Sequence, residues 1–302
     1  MRRPTFLILG APKCGTTALA GLLAAHPAIF LSRPKEPHFF DAHYDKGMER
    51  DLRDHFSDWQ DGVIAGEATP SYLAVPFVPP RIRKDLPHAR LIAILRHPVD
   101  RAYSSWWMFH ARGMDPLPFE ASLDMNLERL ADDFSRGNER GEQAWRDHVN
   151  ALRTGKAIRI RTYFDAGYYA RHLRRYYEHF PHDRIKIVFS HDLLRQPDTV
   201  IRDLWRFLGV DDDARVPDLT VVNEAVGPGA RPLLRALQAI GVLRFRGLLP
   251  EVLKSWGKRR LSAFGKQPAL AAATRQRLLE HFAPHTDELE ALLNVDLSDW
   301  RK

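Results

Sequence analysis

Residues 5–26 read TFLILGAPKCGTTALAGLLAAH, a strand, a tight loop and a helix in immediate succession. Thr5 to Leu9 is a short apolar run bounded by Gly10, the pattern of a buried strand. Gly10 to Thr17 is a loop fenced by two glycines. Thr17 to Ala25, rich in Ala and Leu, predicts a helix. This order turns backbone N–H groups and a helix N-terminus toward an anion. Lys13 adds a positive charge inside the loop, and Thr16 and Thr17 add hydroxyls at the helix start. The stretch is suited to a phosphate-like group.

The loop departs from the nucleoside triphosphate pattern G-x-x-x-x-G-K-[ST]. Gly10 and Gly15 keep the glycine spacing, but Thr16 stands where the lysine belongs and the lysine has moved to position 13. A lysine there reaches a different ligand atom. The plain alternative is an ordinary strand-to-helix turn with a solvated lysine.

The 302 residues are 44% hydrophobic and 27% charged, with a net charge of +7. That composition fits a globular protein with a large core and an anionic partner, without choosing the partner. Cys14 is the only cysteine, so no intrachain disulfide forms. It fills the loop as a small residue. The first strand begins so early that no signal peptide is expected, and no run of about 18 uncharged apolar residues appears. The expectation is a cytoplasmic protein.

Further short apolar runs predict strands at 26–32, 63–65, 90–95 and 185–189. Helices are expected at 45–57, 81–86, 98–112, 167–180, 197–208 and 269–293, the last bending at Pro284. Residues 119–152 read as a helical insert over the site. Strands alternating with helices imply an α/β fold, a mostly parallel sheet of about five strands covered on both faces. With no repeat or composition break, residues 1–302 read as one domain. Residues 225–268 hold nine basic residues and one acidic residue, Glu251, among apolar ones. Within it, 231–260 has the mixture of a peripheral membrane contact, although solvated basic residues over an apolar core are the plainer reading.

A second anchor lies at Arg96-His-Pro-Val-Asp-Arg-Ala-Tyr-Ser104. Arg96 ends a strand at the edge where parallel sheets bind ligands, and an arginine grips phosphate with two parallel N–H bonds. Ser104 can donate to the same group. Taken with the loop Gly10-Ala-Pro12-Lys13-Cys14-Gly15-Thr16-Thr17, this segment resembles the donor site of sulfotransferases that use 3′-phosphoadenosine 5′-phosphosulfate (PAPS). Lys35-Glu36-Pro-His38-Phe-Phe-Asp41 and Glu67-Ala-Thr-Pro-Ser-Tyr72 resemble two loops of the heparan sulfate branch, and the closing Asp296-Leu-Ser-Asp-Trp300 is similar to bacterial members. The resemblance runs, in order, along nearly the whole chain.

The resemblance implies a nucleotide-kinase-like, P-loop fold, PAPS as donor, no required metal, and transfer of a sulfuryl group to a hydroxyl or amine. The acceptor would be a glycan, a glycolipid or a small molecule. It makes Glu36 the general base, with His38 as the alternative base, and has Lys13 stabilise the leaving phosphate. Asp41, Glu67 and Tyr72 fall on the acceptor side. Two departures stand out. Ala68 replaces a lysine of some relatives, and no K-G-R segment appears near the C-terminus, where Lys266 is the replacement candidate and Arg231 a weaker one. A P-loop kinase or NTPase fits less well, because Thr16 replaces its lysine and the 90–95 strand ends in Arg96 rather than an acid for magnesium. A non-enzymatic protein binding acidic glycan fits the charge alone. No nucleic-acid motif and no HExxH metal pattern is present.

Overall fold

The computed structural model describes residues 2–130, 137–216 and 267–302. Five strands form one sheet: β1 (Phe6–Gly10), β2 (Ile29–Leu31), β3 (Ile64–Ala68), β4 (Arg90–Leu95) and β5 (Ile185–Phe189). Their order is β2-β3-β1-β4-β5 and every pair is parallel. All five residues of β1 are buried, as are the last five of β4. Successive side chains point to opposite faces, so unbroken burial means that both faces of the sheet are covered.

The covering helices are α1 (Thr16–Ala24), α2 (Phe39–Ala42), α3 (Met48–His55), α4 (Val78–Asp85), α5 (Pro98–His110), α6 (Phe119–Leu130), α7 (Glu139–Arg153), α8 (Tyr169–Tyr177), α9 (Ser190–Arg195), α10 (Pro197–Leu208) and α11 (Ala272–Leu293). Helix α1 packs on β1–β3 and on α10, while α11 packs on α5 and α8. Arg275 of α11 ties to Asp100 of α5 at 3.0 Å. Helix α11 continues through Pro284. Helix α4 starts before the expected residue 81 because Pro79 and Pro80 sit in its first turn, where a missing N–H costs nothing. The expected insert forms α6 and α7, and α7 packs on α2. No helix of the described residues is long and apolar enough to cross a membrane. Lys266 and the basic stretch 231–260 lie outside the described residues.

From the central β1 the chain crosses to β2 and β3 on one side and to β4 on the other. The loops after β1, β3 and β4 therefore meet at the carboxyl edge of the sheet, at the switch point where such sheets bind ligands. Gly10 makes the close approach possible. Its φ is +144°, and a Cβ there would lie 2.3 Å from the Pro70 carbonyl oxygen. Gly10→Ala should cost about 1–3 kcal/mol or more, since backbone must move. Denaturant unfolding measures this, and an unchanged midpoint would contradict the packing.

Candidate functional site

The anion loop follows from the glycines. Gly15 caps α1 with a left-handed φ of 101° and has no side chain to occupy the first-turn N–H groups. Those donors are left for a ligand. The Ala11 amide holds the loop to β4 by donating to the Ile94 carbonyl at 2.8 Å. Thr16 is buried, whereas Thr17 is exposed. Cys14 is buried, 3.6 Å from the Tyr169 hydroxyl and 3.8 Å from the Pro12 carbonyl oxygen. Burial pushes its thiol pKa up, so it packs the loop and is not an activated nucleophile.

Arg96 and Arg112 lie near enough to Lys13 for their charges to act on it. Burial lowers the pKa of Lys13, and the neighbouring charges of Arg112 and Arg96 lower it further. Lys13 Nζ rests 3.7 Å from the Met108 sulfur, and Arg96 Nη1 donates to the Lys13 carbonyl at 3.3 Å. Tyr169 fixes the end of β4 by donating to the Arg96 carbonyl at 2.8 Å. Among the described residues, neither Lys13 nor Arg96 forms a salt bridge. Cations placed close together beside open N–H donors are an arrangement that favours an anionic ligand. Ser104 lies on α5, half-buried, two turns after the Arg96 strand end.

The second half of the site is a chain of side chains. Glu36 Oε2 lies 4.0 Å from His38 Nε2. On the other ring nitrogen, His38 Nδ1 donates to Asp41 at 3.1 Å. Buried Asp41 also accepts from Ser71 Oγ at 2.6 Å and from Trp145 Nε1 at 3.0 Å. Burial alone would raise the Asp41 pKa, but His38, Ser71 and Trp145 hold it below the usual carboxylate range. Burial would lower the His38 pKa, but Asp41 and then Glu36 raise it. Helix α7 supplies Trp145 and is fixed by Arg146 donating to Asp45 at 2.9 Å and Arg153 to His43 at 2.6 Å.

Lys35 joins the two halves. Its ammonium is 2.9 Å from Glu36 Oε1 and 3.2 Å from Thr17 Oγ1. The backbone marks the same residues. Among the described residues the non-glycine positions with positive φ are Lys13 at 69°, Glu36 at 64°, His38 at 58° and Asn294 at 53°. Asn294 caps α11, but the other three are site residues, and strained backbone of this kind gathers where function holds it.

Glu67 and Tyr72 do not line the surface expected of acceptor contacts. Both are buried, at 2% and 0% exposure. The Tyr72 hydroxyl accepts from the Phe40 amide at 3.1 Å, which supports the start of α2. Burial, then the charge of Asp51, raises the Glu67 pKa well above the ordinary carboxyl range. Their place is support beneath the 36–41 loop. Lys35, Ser71, Trp145 and Tyr169, which carried no role in the sequence reading, are the added partners.

A five-stranded parallel sheet with a glycine-bounded loop leading into a helix at its switch point defines a P-loop-like, nucleotide-kinase-like fold. The chain matches the sulfotransferase domain family over residues 3–221 and belongs to that family. It is 32% identical over 207 residues to human heparan sulfate glucosamine 3-O-sulfotransferase 3B1, covering 68% of this chain and 46% of that one. It is also 32% identical over 163 residues to the membrane-associated sulfotransferase kil1 of Dictyostelium discoideum, covering 50% of this chain and 34% of that one. The chain thus spans less than half the length of these relatives. The crystal structure of a sulfotransferase from Alicyclobacillus acidocaldarius superposes with a TM-score of 0.70, at 26% identity over 100% of both chains.

Proposed function

We propose that residues 1–302 form one catalytic domain that transfers a sulfuryl group from PAPS to a hydroxyl or amine of a glycan or glycolipid acceptor. The observation that carries this reading is the cation cluster of Lys13, Arg96 and Arg112 at an open helix N-terminus, joined to Glu36 through Lys35. When bound, the donor supplies an activated sulfuryl group whose leaving phosphate gains negative charge as the S–O bond breaks. Lys13 and the first-turn N–H groups of α1 stabilise that charge where it develops. Thr16 and Thr17 complete the helix start. Glu36 takes the acceptor's proton, and His38, held by Asp41, aims the Glu36 carboxylate. Arg96 and Ser104 hold the donor's 3′-phosphate. Lys266 is a further donor contact in this reading. The residues fit an anionic nucleotide: Lys13, Arg96 and the open first-turn N–H groups of α1 bring positive charge and donors to the carboxyl edge of the sheet.

The test is transfer of radiolabelled sulfate from PAPS into desulfated glycan and into lipid extracts, followed by identification of the labelled product. Labelling of neither, with PAPS left intact, would sink the reading, as would binding of ATP–magnesium in preference to PAPS. The donor assignment has its own check. Arg96→Ala and Ser104→Ala should weaken PAPS by about 1.5–3 kcal/mol, the scale of a charge-assisted bond, and weaken adenosine 5′-phosphosulfate far less, because it lacks the 3′-phosphate. Equal weakening of both nucleotides, measured by calorimetry, would reassign these residues.

A further inference from the structure

A carboxylate base and an anionic donor make an awkward pair. The base must reach the attacking atom, so it stands close to a group of its own charge, and like charges at short range disfavour the complex. Lys13 and Arg96 lie on the donor side of this conflict. Lys35 lies between the two sides. Its ammonium contacts Glu36 Oε1 at 2.9 Å and Thr17 Oγ1, on the first turn of α1, at 3.2 Å.

The contact is not one that chain neighbours make by default, because successive side chains of an extended segment point apart. It occurs where the backbone of Glu36 is left-handed, with a φ of 64°. The Lys35 side chain is 27% exposed and that of Glu36 42%, so this is a partly screened pair at the mouth of the site, with no claim to hold the fold together. Its placement, spanning the base and the anion loop, is what calls for a function.

Resting on the reading of Glu36 as base, we infer that Lys35 is the counter-charge that lets Glu36 and the anionic donor share one site. It is a positioning residue that acts through Glu36 and Thr17. With Lys35 present, donor binding does not meet the full repulsion of the base. Without it, the base opposes the donor.

This predicts a sign that a plain phosphate contact would not give. Adenosine 3′,5′-bisphosphate, the donor product, is titrated calorimetrically into wild type, Lys35→Met, Glu36→Gln and the double variant. Lys35→Met should weaken binding about tenfold when Glu36 is present and less than about threefold in the Glu36→Gln background. Lys35→Arg should restore most of the loss. Equal weakening in both backgrounds, or none in either, overturns the inference. Thermal melting of each variant separates misfolding from lost binding. Product binding involves no proton transfer, so the cycle reads charge coupling whether or not Glu36 is the base. Normal turnover by Glu36→Gln would instead overturn the base assignment. No binding by wild type would overturn the donor reading, and this inference with it.

Discussion

Lys13→Ala is expected to lose about 100-fold or more in sulfuryl transfer while its melting temperature stays level or rises. The rate loss is the scale for removing one donor aimed at developing negative charge. The stability outcome follows from surroundings that disfavour the ammonium. Burial lowers the Lys13 pKa and the charges of Arg112 and Arg96 lower it further, against a smaller opposing pull from Glu36, so on balance the fold disfavours this charge until an anion arrives. A group strained in this way serves a ligand rather than the fold. The same shift sets a pH dependence. Only the protonated lysine works, and its pKa is below that of an ordinary lysine, so activity declines on the alkaline side earlier than a free lysine would dictate. A bound anion favours the charged form and pushes the decline back up. The limb should therefore be plainer in kcat/KM for the donor, which reports the free protein, than in kcat. Near-normal turnover by Lys13→Ala would remove the residue from the chemistry.

The sheet was legible because its strands are short apolar runs buried on both faces. The expected bounds of β4, β5 and α10 match the structure residue for residue. For α10 the reason is local: Pro197 opens the helix and Gly209, at φ 78°, closes it. Helices α2 and α9 escaped notice because four and six residues are too few to show a period. The candidate site divides in the same manner. Lys13, Glu36, His38 and Arg96 are marked by loop chemistry that a sequence displays. Trp145 reaches Asp41 from 104 residues away, and only the packing of α7 on α2 brings it there. Glu67 and Tyr72 look like open loop residues in the sequence, but β3 runs on through Glu67 to Ala68 beside β1, and the Tyr72 hydroxyl is buried against the Phe40 amide of α2. Lys35 was visible as a charge, but its contacts with Glu36 and with Thr17, 18 residues earlier, follow from how the loop is placed against α1, which no residue type there records.

Glu36→Gln should bind the donor as well as wild type or better, and lose transfer by about 100-fold or more, the scale of general base catalysis. The structure sharpens the choice between Glu36 and His38. Asp41 and Glu36 raise the His38 pKa against the pull of burial, so the ring carries its proton further toward alkaline pH than an ordinary histidine. A protonated imidazole cannot accept a proton. If His38 were the base, activity would appear only as pH rises through that raised value, leaving the protein impaired at neutral pH. If Glu36 is the base, a protonated His38 helps: it donates to Asp41 and presents a positive edge 4.0 Å from the Glu36 carboxylate. His38→Ala should then retain part of the activity and mainly slow kcat, through a base that is no longer aimed. Asp41→Asn should resemble His38→Ala, since it removes the charge that keeps the ring protonated. The decisive comparison is the pH profile of wild type beside the turnover of both single variants. Activity that climbs only above neutral pH, with His38→Ala inactive and Glu36→Gln normal, would transfer the role of base to His38.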